Sequence, residues 1–342
     1  MSPLLEVEHL RVQLPVGGEL RSVIRDVDLT LEPGEVLAMV GESGSGKSMT
    51  ARAIMGLLPP GAEVGGRIAF DGADLSAASS RQLRELRLRR IGMIFQDPRA
   101  AINPVHRIGD FLTEVLVREL GVPRSDAMKR AEGVLQEVRI RDPEHCLHQY
   151  PHELSGGMLQ RVMIAAVLLS EPDLILADEP TTALDVTTQA EVIALLSDLR
   201  RARELAMVFI THDLELAAAI SDRIAVMYAG SVVETVAAAE ALTRPLHPYT
   251  EALLESRPDI AVRLDVIPQI SGRPIAAYEV DAGCPFHPRC RYAEEQCSLT
   301  PPKTALVGTG LVMCHRAQER LGGLHISGEQ NSLADGLGAQ AG

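Results

Sequence analysis

No stretch of this 342-residue chain is apolar for long enough to cross a bilayer; the longest run, Val162 to Leu169, falls far short of the roughly 18–20 residues required. The opening MSPLLEVEHL also lacks the charged-then-apolar pattern of a secretory leader, so the chain is expected neither to span nor to cross a membrane alone. Basic residues are in the minority. With 33 Lys and Arg against 46 Asp and Glu the net charge is −13, which repels a phosphate backbone and makes nucleic acid a poor default partner. No internal repeat is present. Residues 1–145 contain no cysteine; Cys146 stands alone and the other four of the five crowd into 284–314. In an intracellular protein that spacing suggests metal ligation over disulfides.

What is present fits a soluble α/β chain of about two domains. Apolar residues at 46% and charged residues at 23% exclude global disorder and a disulfide-dense miniprotein. Val36 to Val40 is an apolar run closed by Gly41, and a helical pattern follows from Ser48 until Pro59 and Pro60 stop it. Further short apolar runs at Leu174 to Ala177, Met207 to Ile210 and Ile224 to Met227 alternate with helical stretches such as Thr188 to Arg203. This alternation predicts a mostly parallel sheet with helices on its faces. Residues 100–170 lack strand runs and read as an inserted helical subdomain. After about 242 the chain turns Pro-rich and irregular, and from about 322 it is Gly- and Ala-rich and expected to be mobile.

The sharpest motif is Gly41-Glu-Ser-Gly-Ser-Gly46-Lys47-Ser48, a phosphate-binding loop between strand and helix. Backbone N–H groups of 44–48 can turn around β- and γ-phosphates, Lys47 adds a point charge and the Ser48 hydroxyl can ligate Mg²⁺. The nucleotide-binding set is Gly41, Ser43, Gly44, Ser45, Gly46, Lys47, Ser48 and Met49. At the end of the run 174–178, Asp178 can hold Mg²⁺ through water and Glu179 can orient the attacking water. Leu154-Ser155-Gly156-Gly157-Met158 offers a hydroxyl and uncovered N–H groups at a helix start, which alone is no more than a helix cap.

Together these segments resemble the ATP-binding subunits of ABC transporters over about residues 4–240. Residues 154–158 resemble the signature LSGGQ, Gln96 in Ile94-Phe-Gln-Asp-Pro98 the Q-loop, Ala183-Leu-Asp185 the D-loop and His212 in Thr211-His-Asp213 the switch histidine. The resemblance implies a P-loop ABC-type α/β fold over 1–241, with a helical subdomain at about 98–165. It also implies ATP hydrolysis, each ATP held between the phosphate loop of one subunit and residues 154–158 of another. Glu179 is then the general base, His212 a γ-phosphate contact, and Gln96 a Mg²⁺ and water ligand beside Ser48 and Asp178. Members often stack adenine on an aromatic residue upstream of the phosphate loop. Here none precedes Phe70, leaving Leu20, Arg21 or Val23 for that task.

Within the family, Pro245-Leu-His-Pro-Tyr-Thr250, Leu253, Leu254, Ile267-Pro and Cys284-Pro-Phe-His-Pro-Arg-Cys290 resemble the C-terminal extension of oligopeptide and dipeptide importers, placed at 242–321 ahead of the tail 322–342. LSGGM and Ile102-Asn-Pro-Val105 resemble the D-type subunit. That implies a heterodimer with an F-type ATPase, two integral permease subunits, an extracytoplasmic solute-binding protein acting indirectly, and a peripheral position on the cytoplasmic membrane face. A permease groove is expected near Phe95, Pro98, Ile102, Asn103 and Pro104. Cys284, Cys290, Cys297 and Cys314 suit either a [4Fe-4S] cluster or zinc; spacing does not choose, and the peptide-importer resemblance favours the cluster. Nearby His287 and His315 are candidates to support or replace a ligand, with plain surface positions the favoured reading. The competing readings are a soluble ABC ATPase acting on nucleic acid or ribosomes, and an iron-sulfur redox enzyme.

Overall fold

The computed structural model describes residues 2–182, 184–256 and 269–320. Ala183, the pair Ile267-Pro268 and the tail 322–342 lie outside the described residues. Among the described residues, twelve strands form the sheet: β1 Leu5–Val16, β2 Glu19–Leu31, β3 Val36–Val40, β4 Glu63–Phe70, β5 Ala73–Asp74, β6 Ile91–Ile94, β7 Leu174–Asp178, β8 Ala206–Thr211, β9 Arg223–Tyr228, β10 Ser231–Ala237, β11 Thr304–Val307 and β12 Gly310–Met313. Their order is β5-β4-β1-β2-β10-β9-β3-β8-β7-β6, with β12 pairing β10 and β11 pairing β12.

The parallel block β9-β3-β8-β7-β6 carries the apolar runs. All residues of β3, β6, β7 and β8 are buried, as strands covered on both faces require. The mostly parallel sheet expected from those runs is therefore only part of the whole. β1, β2, β4 and β5 pair antiparallel as a curled arm. In β1 and β2 buried and exposed residues intermix, because one face meets solvent, so no continuous apolar run announces them. Gly17 and Gly18 turn the β1–β2 hairpin.

The helices Pro98–Ala101, Ile108–Arg118, Arg124–Glu137, Pro143–His148 and Gly156–Leu168 occupy the region read as helical. They meet through Ile108, Leu112, Leu116, Ala131, Leu135 and Val162, with Cys146 buried among them as a small apolar side chain. Its thiol is pushed up to about 11, mainly by burial. The Arg-rich helix Ser80–Arg89 has no buried residue and lies on the surface.

The region after 242 is less irregular than its proline content suggests, because β11 and β12 form a hairpin that extends the main sheet through Glu234↔Val312. Nor does it rely on a core of its own. Tyr228, Tyr249 and Phe286 pack in a triangle with ring centroids 4.7–5.3 Å apart, each such pair contributing about 0.5–1.5 kcal/mol beyond area burial. The helix Pro248–Glu255 is tied down by the buried Glu234 carboxylate, which accepts from the N–H groups of Leu246 and His247, both at 2.9 Å, and from the Thr250 hydroxyl at 2.5 Å.

Candidate functional site

The C-terminal ends of the parallel strands bring the chemistry together, as the crevice beyond such ends does in open α/β sheets. The loop after β3 wraps toward the helix Lys47–Ile54. Its N-cap, Gly46, has φ +109°, and a Cβ there would lie 3.3 Å from the Val23 carbonyl oxygen, so glycine serves both the turn and the close approach. Lys47 Nζ donates to the Gly41 and Glu42 carbonyls at 2.7 and 3.0 Å. It is buried, and desolvation lowers its pKa, opposed by Glu179, Asp178 and Glu42. Ser48 Oγ donates to Asp178 Oδ1 at 2.6 Å. Asp178 is 3% exposed and burial raises its pKa, with Ser48 opposing the shift and Glu179 adding to it.

Glu179 follows β7 with φ +46°, a left-handed backbone that L-residues adopt at a cost of about 1 kcal/mol or more. Its Oε2 accepts from Thr182 Oγ1 at 2.8 Å and Gln96 Nε2 at 3.1 Å, and lies 3.8 Å from His212 Nδ1. Ser43, Gly44, Gly46, Lys47, Ser48, Met49, Gln96, Glu179 and His212 line one open cavity of about 650 Å³. Gly41, Ser45 and Asp178 stand behind that wall. Of the three residues considered for adenine, only Val23 lines the cavity; Leu20 and Arg21 do not. Sequence reasoning missed Ala276, Ala277 and Tyr278, which close the cavity from the C-terminal region. Tyr278 carries no motif that could have announced it.

Residues 154–158 do not line this cavity. Leu154 is buried, while Ser155 is exposed and caps the helix Gly156–Leu168, its Oγ accepting from Met158 N–H at 3.3 Å. Gly156 and Gly157 open that helix beside Leu184 and Thr188. Asp185 caps the helix Val186–Arg203 by accepting from the Thr188 N–H at 3.0 Å and hydroxyl at 2.7 Å, which lower its pKa. The wall of the cavity thus includes the phosphate loop of this chain but not its own SGG turn.

An apolar groove of about 240 Å³ separates the sheet from the helical layer. Of the residues expected around a permease groove, Phe95 lines this cavity and Pro98, Ile102, Asn103 and Pro104 do not. Pro98 and Ile102 are buried and Asn103 and Pro104 face solvent; Phe111, Leu112 and Val115 take their place.

All four C-terminal cysteines line a single small cavity of about 20 Å³, with His287 and His315 also on its wall. Cys284 and Cys297 are buried and joined by a backbone bond, Cys284 N–H to the Cys297 carbonyl at 2.7 Å. The Cys284 thiol is pushed up to about 12, chiefly by burial, with the three other sulfurs adding to the shift. One ring nitrogen of each histidine already donates to a carbonyl, of Cys284 and Thr300 respectively, both at 2.9 Å. Among the described residues, the only group of three or more candidate ligand atoms within 4.8 Å of one another is the exposed His9, Asp26 and Asp28, so no three of the sulfurs are that close.

The ABC transporter family profile matches residues 24–182, and the oligopeptide/dipeptide transporter C-terminal region matches 233–297. The oligopeptide transport ATP-binding protein OppD of Salmonella typhimurium is 42% identical over 93% of this chain and 95% of that protein. The dipeptide transport ATP-binding protein DppD of Bacillus subtilis is 41% identical over 96% and 99%. Among solved structures, the dimeric cassette MJ0796 in a post-hydrolysis state with ADP and Pi superposes with a TM-score of 0.61 at 28% identity, covering 68% of this chain and 98% of that one.

Proposed function

Because the chain belongs to the ABC transporter family, as an ATP-binding subunit, we propose a reading of how its residues divide the work of ATP-driven peptide import. It is an ATPase whose hydrolysis powers uptake of oligopeptides or dipeptides through a membrane complex. The observation that carries the reading is the convergence of Lys47, Ser48, Gln96, Glu179 and His212 on one cavity at the strand ends.

ATP enters with its phosphates against the N–H groups of 44–48. Lys47 neutralises the β- and γ-phosphates, exchanging its carbonyl partners for phosphate oxygens. Ser48, Asp178 and Gln96 would hold Mg²⁺, which when bound shields the charge between β- and γ-phosphates. Glu179 orients and deprotonates the attacking water; Thr182 and Gln96 fix its carboxylate, and His212 lies close enough to sense the γ-phosphate. The exposed Ser155 and the half-buried Gly156 and Gly157 close the equivalent site of a second subunit, an F-type ATPase in a heterodimer. ATP is then shared across the boundary, and its hydrolysis releases the pair.

The second subunit and two permeases assemble on the cytoplasmic face of the membrane, with a solute-binding protein acting from the other side. No helix among the described residues is long and apolar enough to cross a membrane, so anchoring falls to the permeases. The groove lined by Phe95, Phe111 and Val115 receives a permease helix. Cys284, Cys290, Cys297 and Cys314 would hold a [4Fe-4S] cluster, with zinc the alternative, which would supply a structural staple for a segment poor in core; the convergence of the four side chains on one small cavity supports a shared metal centre. The acidic balance and the peptide-importer relatives disfavour the soluble, nucleic-acid-linked alternative.

The test is purification of the assembled complex and reconstitution into proteoliposomes. Peptide uptake that needs ATP and vanishes with Lys47→Ala supports the reading. Tight co-purification with RNA and no permease contradicts it. Elemental analysis of the same preparation gives about four irons and four sulfides per chain for the cluster, or one zinc against it.

A further inference from the structure

We propose that Tyr278, delivered by the C-terminal extension, is the residue on which the purine of ATP stacks, so that the extension completes the nucleotide site. The proposal rests on the nucleotide reading above and adds to it the part that the sequence left vacant. No aromatic residue precedes Phe70, and among the described residues lining the cavity the aromatic rings are those of His212 and Tyr278. His212 sits beside Glu179, at the phosphate end. Tyr278 comes in with Ala276 and Ala277 beside Ser22 and Val23, beyond the glycine loop, where a base attached to phosphates held by Lys47 must lie.

The ring is presented for such a contact. Tyr278 is 51% exposed, an unusual position for a large aromatic side chain that also lines a cavity. The Arg21 guanidinium lies over the ring 5.0 Å from its centroid, and Arg21 itself is not part of the cavity wall. The cation therefore backs one face of the phenol and leaves the other for a planar ligand such as a base, every one of which offers a π-face.

The turn that carries Tyr278 is built rather than draped. Arg273 grips Glu279 through two hydrogen bonds, at 2.9 and 2.6 Å, and the same carboxylate accepts from the Ala276 N–H at 2.8 Å. Beneath it Gly230 admits no side chain: a Cβ there would sit 2.8 Å from Ala277 Cβ and 2.9 Å from the Val23 carbonyl oxygen. The Gly230 N–H donates to the Ser45 carbonyl at 2.9 Å, and its own carbonyl accepts from Arg25 N–H at 2.8 Å. Phosphate loop, β2 and the 277–279 turn are thereby pressed together through one glycine.

Equilibrium titration of the full chain with ATP and with inorganic tripolyphosphate tests the assignment. Tyr278→Ala is expected to weaken ATP about tenfold while leaving tripolyphosphate unchanged, and Tyr278→Phe to stay within about twofold of the parent for both. Unchanged ATP affinity in Tyr278→Ala, with Lys47→Ala still losing ATP, overturns the base clamp and spares the phosphate site. Equal loss of ATP and tripolyphosphate in Tyr278→Ala also overturns it, as general damage. Normal ATP affinity in Lys47→Ala removes the nucleotide reading on which the proposal stands.

Discussion

Arg289, next to Cys290, holds Glu42 of the phosphate loop across 247 positions of sequence, its two terminal nitrogens donating to the two carboxylate oxygens at 2.6 and 3.1 Å. The Arg289 side chain is 3% exposed and also contacts the Tyr228 hydroxyl at 3.3 Å. From the same side, the buried Tyr249 hydroxyl accepts from the Glu42 N–H at 2.9 Å. The cysteine-bearing segment and the loop that would cradle phosphate are thus one packed unit, and whatever orders the first positions the second.

Arg289→Ala leaves the Glu42 carboxylate without its bidentate partner. Since Glu42 is 24% exposed, the expected cost is below that of a fully buried pair, about 2–3 kcal/mol. Thermal unfolding should show a lower Tm, and titration weaker ATP binding. Arg289→Lys should recover little of either, because an ammonium cannot reproduce the fork.

Tyr249→Phe removes only an acceptor. The Glu42 N–H then loses its partner in a half-buried setting, at about 1 kcal/mol. A Tm drop without loss of assembly checks this; an unchanged Tm would mean that Glu42 N–H finds another partner.

Glu179→Gln keeps the shape of the site and removes its base. Steady-state ATP hydrolysis by the assembled complex should fall by about 10²–10⁴ while ATP affinity of the isolated chain is retained. Single-turnover assays with ATP distinguish this from loss of binding.

Asp178→Asn separates stability from catalysis. Burial holds the Asp178 pKa above the ordinary carboxylate value of about 4, so the folded chain takes up its proton more readily than the unfolded one. The stabilisation from that proton is complete below about pH 4 and is lost as pH rises through the raised value. At neutral pH the ionised carboxylate therefore costs stability in the nucleotide-free chain. The Asn variant should melt higher at pH 7, with the gap closing toward pH 4, and should hydrolyse ATP poorly. A gap that widens on acidification would reverse the sign of the argument.

The parts of the site legible in the sequence are those whose function requires contiguous residues. A phosphate loop needs its glycines, lysine and serine on one turn, and Asp178, Glu179 and His212 follow apolar strands directly, so local pattern sufficed. The antiparallel arm escaped because its strands face solvent on one side and show no apolar run. Tyr278, Arg289 and the β11–β12 hairpin escaped for a different reason: each acts on residues far away in sequence, and nothing around it marks the contact. Pro98 and Ile102 turn into the core while Phe111 and Val115, one helix later, face the apolar groove, because helix packing rather than local pattern decides which side chains line it.

The central claim is that hydrolysis needs the SGG turn of one subunit, led by the exposed Ser155, against the phosphate loop of another. Ser155→Arg tests it most directly, with ATP affinity measured on the isolated chain and ATP turnover on the assembled transporter. The account predicts unchanged affinity, because the turn lies outside this chain's own cavity, together with turnover reduced to background. Normal turnover in the assembly, or lost affinity in the isolated chain, would contradict it.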